Sequence, residues 1–139
     1  TWTAVGDNVN LASRLEALTR EYDCGIVLSD STREKVKDHY LCRELDRIRV
    51  KGKLQPVVIY DLLAPRSDGA QHGELVARFA EALHSYRNRD WNEALRKFDA
   101  LASQYPSDGP TGVFRARCQE FLQHAPAPDW DGVYVMKSK

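Results

Sequence analysis

Hydrophobic and polar positions along this chain follow two different rhythms. Over roughly the first sixty residues, short apolar runs alternate with helical stripes. Leu11, Leu15, Leu18 and Tyr22 recur at steps of four, three and four, the spacing of one helical face. Trp2 to Val5, Gly25 to Leu28, Leu41 to Val50 and Val57 to Leu62 read as strands, although the alternation within Leu41 to Val50 is imperfect. Asp7 is placed to cap the first helix, and Ser29 or Asp30 a second one through about Val36. Lys51-Gly52-Lys53 reads as a turn, and Pro56 suits the start of the returning strand. The order predicted is β-α-β-α-β-β.

Beyond Ala64-Pro65-Arg66-Ser67-Asp68-Gly69 the rhythm becomes helical. Leu75, Phe79, Ala82, Leu83 and Tyr86 form one stripe, and Trp91, Ala94, Leu95, Phe98, Leu101 and Ala102 another, ended by Pro106 and Gly109. Val113 to Leu122 reads as a shorter third helix. The tail from His124 carries Pro126 and Pro128 and then Trp130-Asp131-Gly132-Val133-Tyr134-Val135, an aromatic and β-branched ending expected to pack against the rest. The chain divides on this basis into residues 1–63, a linker at 64–73 and a helical segment at 74–139, an α+β arrangement.

Composition narrows the function classes. The 139 residues hold 20 Lys and Arg against 20 Asp and Glu, a formal net charge of zero, which argues against a nucleic-acid-binding domain. At 42% hydrophobic and 29% charged, the mixture is that of a folded domain. No apolar run is long enough to span a membrane. Cys24, Cys42 and Cys118 lack metal-ligand or CxxC spacing and are expected to be reduced. His39, His72, His84 and His124 show no ligand spacing either. The chain begins at Thr1 inside an expected strand, and its single methionine is Met136, so it is expected to be a piece of a longer protein.

The densest candidate chemistry lies in Gly6-Asp7-Asn8-Val9-Asn10-Leu11-Ala12-Ser13-Arg14-Leu15-Glu16. Asn10 and Arg14 stand four residues apart and share a helical face. An amide and a guanidinium so spaced can hold a sugar oxygen and a phosphate oxygen, and the planar fork of arginine suits a phosphoryl centre. Spacing alone favours a capped amphipathic helix with both residues facing water, because Asn and Arg are common on exposed helical faces. A second cluster, Arg47-Ile48-Arg49-Val50-Lys51-Gly52-Lys53, places basic side chains at a hairpin tip, where they can reach a polyphosphate or simply guard an exposed edge.

Taken together and in this order, the two clusters resemble the class III adenylate/guanylate cyclases. Trp2-Thr3-Ala4-Val5-Gly6-Asp7-Asn8-Val9-Asn10-Leu11-Ala12-Ser13-Arg14-Leu15-Glu16 is similar to that family's strand-to-helix segment. Leu45 through Val57, with Lys51-Gly52-Lys53 at its centre, is similar to its last hairpin. The resemblance covers about half of the chain. It implies a partial ferredoxin-like cyclase domain with a mostly antiparallel sheet, and conversion of ATP to 3′,5′-cyclic AMP and pyrophosphate in intracellular signalling.

On the family's pattern Asn10 orients the ribose, Arg14 stabilises the pentavalent α-phosphate, and Lys51 binds the terminal phosphates. Thr3 stands where many members carry a base-reading aspartate, as in a bacterial, adenine-specific threonine subgroup. The family uses two magnesium or manganese ions held by aspartates upstream of this segment, and its sites form across a homodimer interface. The resemblance therefore implies that this chain supplies the Asn/Arg half of a shared site and is inactive alone.

The helical segment has its own resemblance. Ala94, Phe98, Leu101 and Pro106, with Tyr86 before them and Asp90-Trp91-Asn92-Glu93-Ala94 between helices, are similar to a tetratricopeptide unit. One unit and a possible half fall short of the three or so needed for independent stability, which leaves two even readings: docking on the cyclase core or on a protein partner, or an α-hairpin that extends the catalytic domain and binds nothing. The ending Pro128-Asp129-Trp130-Asp131-Gly132-Val133-Tyr134 resembles tails of bacterial membrane cyclases, which implies a parent anchored in the inner membrane with this part on the cytoplasmic side. The competing reading is a non-catalytic cyclase-like module that recruits partners through its helices.

Overall fold

The computed structural model describes residues 7–49 and 55–136, with side chains described from residue 15 onward. The expected strand at Trp2 to Val5 and turn at Lys51 to Lys53 lie outside the described residues. Among the described residues the chain is an α+β fold with a four-stranded mixed sheet and five α-helices: α1 Asp7–Tyr22, β1 Val27–Ser29, α2 Asp30–Val36, β2 Tyr40–Arg49, β3 Val57–Pro65, α3 Gly69–Arg87, α4 Trp91–Gln104, α5 Gly109–Gln123 and β4 Tyr134–Val135. A single 3-10 turn, Arg66–Asp68, joins β3 to α3.

Local chemistry accounts for most boundaries. Helix α1 stops where Asp23 takes a left-handed backbone at φ 55°, and the Cys24 amide closes on the Thr19 carbonyl at 3.1 Å. Ser29 caps α2 by accepting from the Thr32 amide. Asp90 caps α4 through the Glu93 amide, and Asp108 caps α5 through the Thr111 amide and hydroxyl. That last cap, with Pro110 in the first turn, starts α5 four residues before Val113.

The sheet order is β1-β3-β2-β4, with β1 and β2 antiparallel to β3 and β4 parallel to β2. Two register shifts interrupt the β2–β3 ladder, one between Leu41 and Cys42 and one between Glu44 and Asp46. At the second, Leu45 is the extra residue, so Leu45 and Asp46 are both buried. The imperfect alternation in the sequence is this bulge. Residues 64–73 hold the end of β3, the 3-10 turn and the start of α3. One apolar cluster joins Leu18, Tyr22, Leu45, Ile48 and Ile59 to Phe79, Leu83, Tyr86, Phe98 and Phe114: α3 packs on β2 and β3, and α4 packs against α3 and α5.

The tail adds the fourth described strand to the sheet. Trp130 packs edge-on against Tyr86 at 5.5 Å and tilted against Trp91 at 5.2 Å. Arg89, at φ 64°, holds the preceding carbonyls of Pro126 and Ala127 at 3.1 and 3.0 Å. Gly132 at φ 83° turns the chain into β4.

Gly109, at the start of α5, lies directly against Asp23. A Cβ there would sit 2.7 Å from the Asp23 Cγ, 2.8 Å from its Cβ, and closer still to its backbone carbonyl. Gly109→Ala is therefore expected to lower stability by about 1–3 kcal/mol through forced displacement of the α1–β1 turn. An unchanged urea midpoint would show that this contact yields freely.

Candidate functional site

Helix α1 carries Asn10 and Arg14, and its described side chains anchor it at the other end. Among its described side chains only Leu18 and Tyr22 are buried. The Tyr22 hydroxyl donates to the Asp46 carboxylate of β2 in a short hydrogen bond. Asp46 is fully buried and also accepts from Arg117 Nη1 of α5 at 2.9 Å and from the Arg47 amide at 2.8 Å. Burial pushes the Asp46 carboxyl up, against the opposing pull of Arg117 and Tyr22. Burial, and then Asp46, also hold the Tyr22 phenol well above its ordinary range, so it remains a donor.

Arg117 is the hub of this network. Its guanidinium lies 4.5 Å from the Tyr134 ring centroid, 4.8 Å from Phe114 and 5.0 Å from Tyr22. Burial opposes its charge, but the Asp46 carboxylate at 2.9 Å outweighs that, and it stays cationic. The end of β2 nearest Lys51 is held from the other side. Ile48 and Arg49 pair with Tyr134 and Val135, the Met136 amide donates to the Arg49 carbonyl at 3.0 Å, and Arg49 meets Asp131 at 3.1 Å. Lys51 and Thr3 themselves lie outside the described residues, as do the side chains of Asn10 and Arg14. Thus the two elements that bear the sequence clusters, α1 and β2, are tied together at Tyr22 and Asp46.

A second buried polar cluster has no signal in the sequence beyond that broken alternation. Arg43 of β2, 1% exposed, donates to Asp61 of β3 at 2.6 Å and to both oxygens of Asp108 at 2.8 and 2.9 Å, with Phe79 beneath its guanidinium at 4.6 Å. Burial pushes the Asp61 carboxyl up. It acts on Asp108 too, but there the hydrogen bonds and charge of Arg43 win and hold the carboxyl below its usual range. A cavity of about 340 Å³ opens beside this cluster, lined also by Asp23, Cys24 and Ser107.

Among the described residues no group of three or more His, Cys, Asp or Glu side chains is placed to hold a metal ion. Asp46, Asp61 and Asp108 are committed to arginines. These residues do not fit a two-ion centre.

All three cysteines are free thiols. Burial pushes Cys24 and Cys118 up to about 12, which keeps both as thiols near neutral pH. Cys118, fully buried, is expected to resist a thiol reagent in the native chain and to react once the chain is unfolded in guanidinium. Rapid native labelling of Cys118 would contradict its packing.

Comparison with known proteins gives this geometry a context. The chain is 33% identical over 125 residues to "Adenylate cyclase, terminal-differentiation specific" of Dictyostelium discoideum, covering 84% of this chain and 6% of that protein. It is 37% identical over 65 residues to "Adenylate cyclase" of Anabaena cylindrica, and 34% identical over 62 residues to "Adenylate cyclase 1" of Rhizobium meliloti (strain 1021), each covering 45% of this chain. The chain is related to adenylate cyclases. It spans only 13% of the Anabaena protein's length and 9% of the Rhizobium protein's.

No family model and no solved structure matches. An alignment covering 84% of this chain cannot be confined to residues 1–63, so the likeness to the Dictyostelium protein includes most of the helical segment. With Dictyostelium among the relatives, the comparisons do not tie the chain to a bacterial subgroup. No helix among the described residues is long and apolar enough to cross a membrane.

Proposed function

We propose that this chain is part of an adenylate cyclase and supplies the transition-state half of its site. The similarity to three proteins named adenylate cyclase carries the reading, joined to an Asn10–Arg14 pair on one helix. In the reaction proposed, the ribose 3′-oxygen of ATP attacks the α-phosphorus, the bond to the pyrophosphate oxygen breaks so that pyrophosphate leaves, and the 3′-hydroxyl proton passes to solvent water. Positioning and charge stabilisation dominate such a step. Asn10 would hold the ribose, Arg14 the charge growing on the α-phosphate, Lys51 the departing phosphates and Thr3 the purine edge.

The proposed site is shared across a homodimer. Two magnesium or manganese ions would be bound by residues outside this chain, so residues 1–139 alone would not turn over ATP. The helical segment is proposed as a tetratricopeptide-like unit belonging to the same protein, which would be anchored in a membrane with this part on the cytoplasmic side.

The test is cyclic AMP production from ATP by the full-length protein with magnesium or manganese. Lys51→Ala is expected to raise KM by about tenfold or more through the lost charged contact to phosphate. A well-folded protein that binds ATP and makes no cyclic AMP would favour the interaction-module reading.

A further inference from the structure

The hydrogen-bond network places a residue of the helical segment in control of the helix that bears the candidate site. We infer that Arg117 is a positioning residue: from α5 it fixes the setting of α1 on the sheet, and with it Asn10 and Arg14. The inference rests on the adenylate cyclase reading of those two residues. Arg117 reaches four elements at once, donating to Asp46 of β2 and lying against the rings of Tyr22 on α1, Phe114 on α5 and Tyr134 on β4.

The leverage is geometric. Tyr22 and Leu18 are the buried anchors among the described side chains of α1, and Tyr22 is held at its hydroxyl by the carboxylate that Arg117 also holds. Arg14 lies eight residues before Tyr22, about 12 Å along a helix axis. A tilt of about 5° at the anchor therefore shifts the helix at residue 14 by about 1 Å. A displacement of that size is enough to cost a reaction up to about a hundredfold. Without Arg117, Asp46 keeps, among the described residues, only Tyr22 and a backbone amide as partners for a fully buried carboxylate. It must then take a proton or draw water in, and either change alters the seat of Tyr22.

The experiment uses the full-length protein, with kcat and KM for ATP measured for Arg117→Met, Arg117→Lys and Tyr22→Phe. Arg117→Met is expected to lower kcat by about ten- to hundredfold with KM changed by less than about twofold. Arg117→Lys should recover part of that, because an ammonium still meets Asp46. Tyr22→Phe keeps the ring and removes only the hydroxyl, so it should fold and still lower kcat. In the same variants, amide exchange should quicken in residues 7–22 more than elsewhere. Arg96→Met, which removes a surface pair with Glu93 on α4, should leave kcat unchanged.

Wild-type kcat and α1 exchange in folded Tyr22→Phe and Arg117→Met would overturn the inference. A kcat loss that merely tracks the folded fraction would overturn it as well. If Arg117→Met does not fold, Tyr22→Phe decides alone. Failure of the underlying reading looks different: the wild type makes no cyclic AMP, or Arg14→Ala is as active as the wild type, and the inference falls with it.

Discussion

Arg43→Ala is expected to destabilise the chain by about 3–5 kcal/mol, a large share of a small domain's total stability. Arg43 is 1% exposed and holds Asp61 and both oxygens of Asp108, so its loss strands Asp61 in the interior and leaves the half-buried Asp108 only its Thr111 cap among the described residues. The penalty comes from the carboxylates left behind more than from the bonds lost. Removing charge from all three positions should therefore do less harm than removing the arginine alone. The triple variant R43M/D61L/D108N, whose side-chain amide at position 108 still caps α5, is expected to recover most of the loss.

The deficit also depends on pH. Without Arg43, nothing from that arginine opposes burial at Asp61, and its folded pKa rises further above the unfolded value of about 3.9. Such a group loses its contribution to stability as pH rises through that folded value. In the wild type the depressed pKa of Asp108 works oppositely: its stabilisation is present above the unfolded value and lost as pH falls through the folded one. The gap between wild type and Arg43→Ala should thus narrow as pH is lowered from 7 toward 4, read as urea midpoints. A gap under about 1 kcal/mol at pH 7 would mean the cluster is solvated in solution.

Arg14→Ala in the full-length protein is expected to lower kcat by about 10²–10³-fold, the effect of losing one donor aimed at developing transition-state charge. Because the arginine would act on the α-phosphate only as charge accumulates, KM for ATP should move much less than kcat. Helix α1 should survive the change, since Leu18 and Tyr22 anchor it further along, and circular dichroism should match the wild type. An unchanged kcat would remove Arg14 from the chemistry. Comparing this variant with Arg117→Met separates a residue that touches the reacting phosphate from one that acts through the placement of α1.

Local pattern carries much of this architecture. The Leu11/Leu15/Leu18/Tyr22 stripe marks α1, the Ser29 cap marks α2, and the stripes through Phe79 and Phe98 mark α3 and α4, because helical periodicity and capping are short-range properties. The start of α5 escapes that pattern, because an Asp108 cap followed by Pro110 outweighs the weak stripe behind it. The end of β3 escapes it as well, because Tyr40 and Leu41 extend the ladder to Pro65 and Ala64 from across the sheet. For the candidate site, Asn10, Arg14, Thr3 and Lys51 are readable only as residue types in an order, and none of their side chains is described.

What the sequence determined by itself is therefore the course of α1 to α4 and of β1 to β3, apart from some ends, and the spacing of Asn10 and Arg14 on α1. Only the tertiary structure decided that Arg43 and Asp46, polar residues in a strand, belong to the interior. Their partners Asp61, Asp108, Tyr22 and Arg117 lie 18, 65, 24 and 71 residues away. The return of the tail to β2 as a parallel strand was decided in the same way, by long-range pairing. A buried charge or a parallel strand is stable only with its partner in place, and that partner is chosen by the fold rather than by neighbours along the chain.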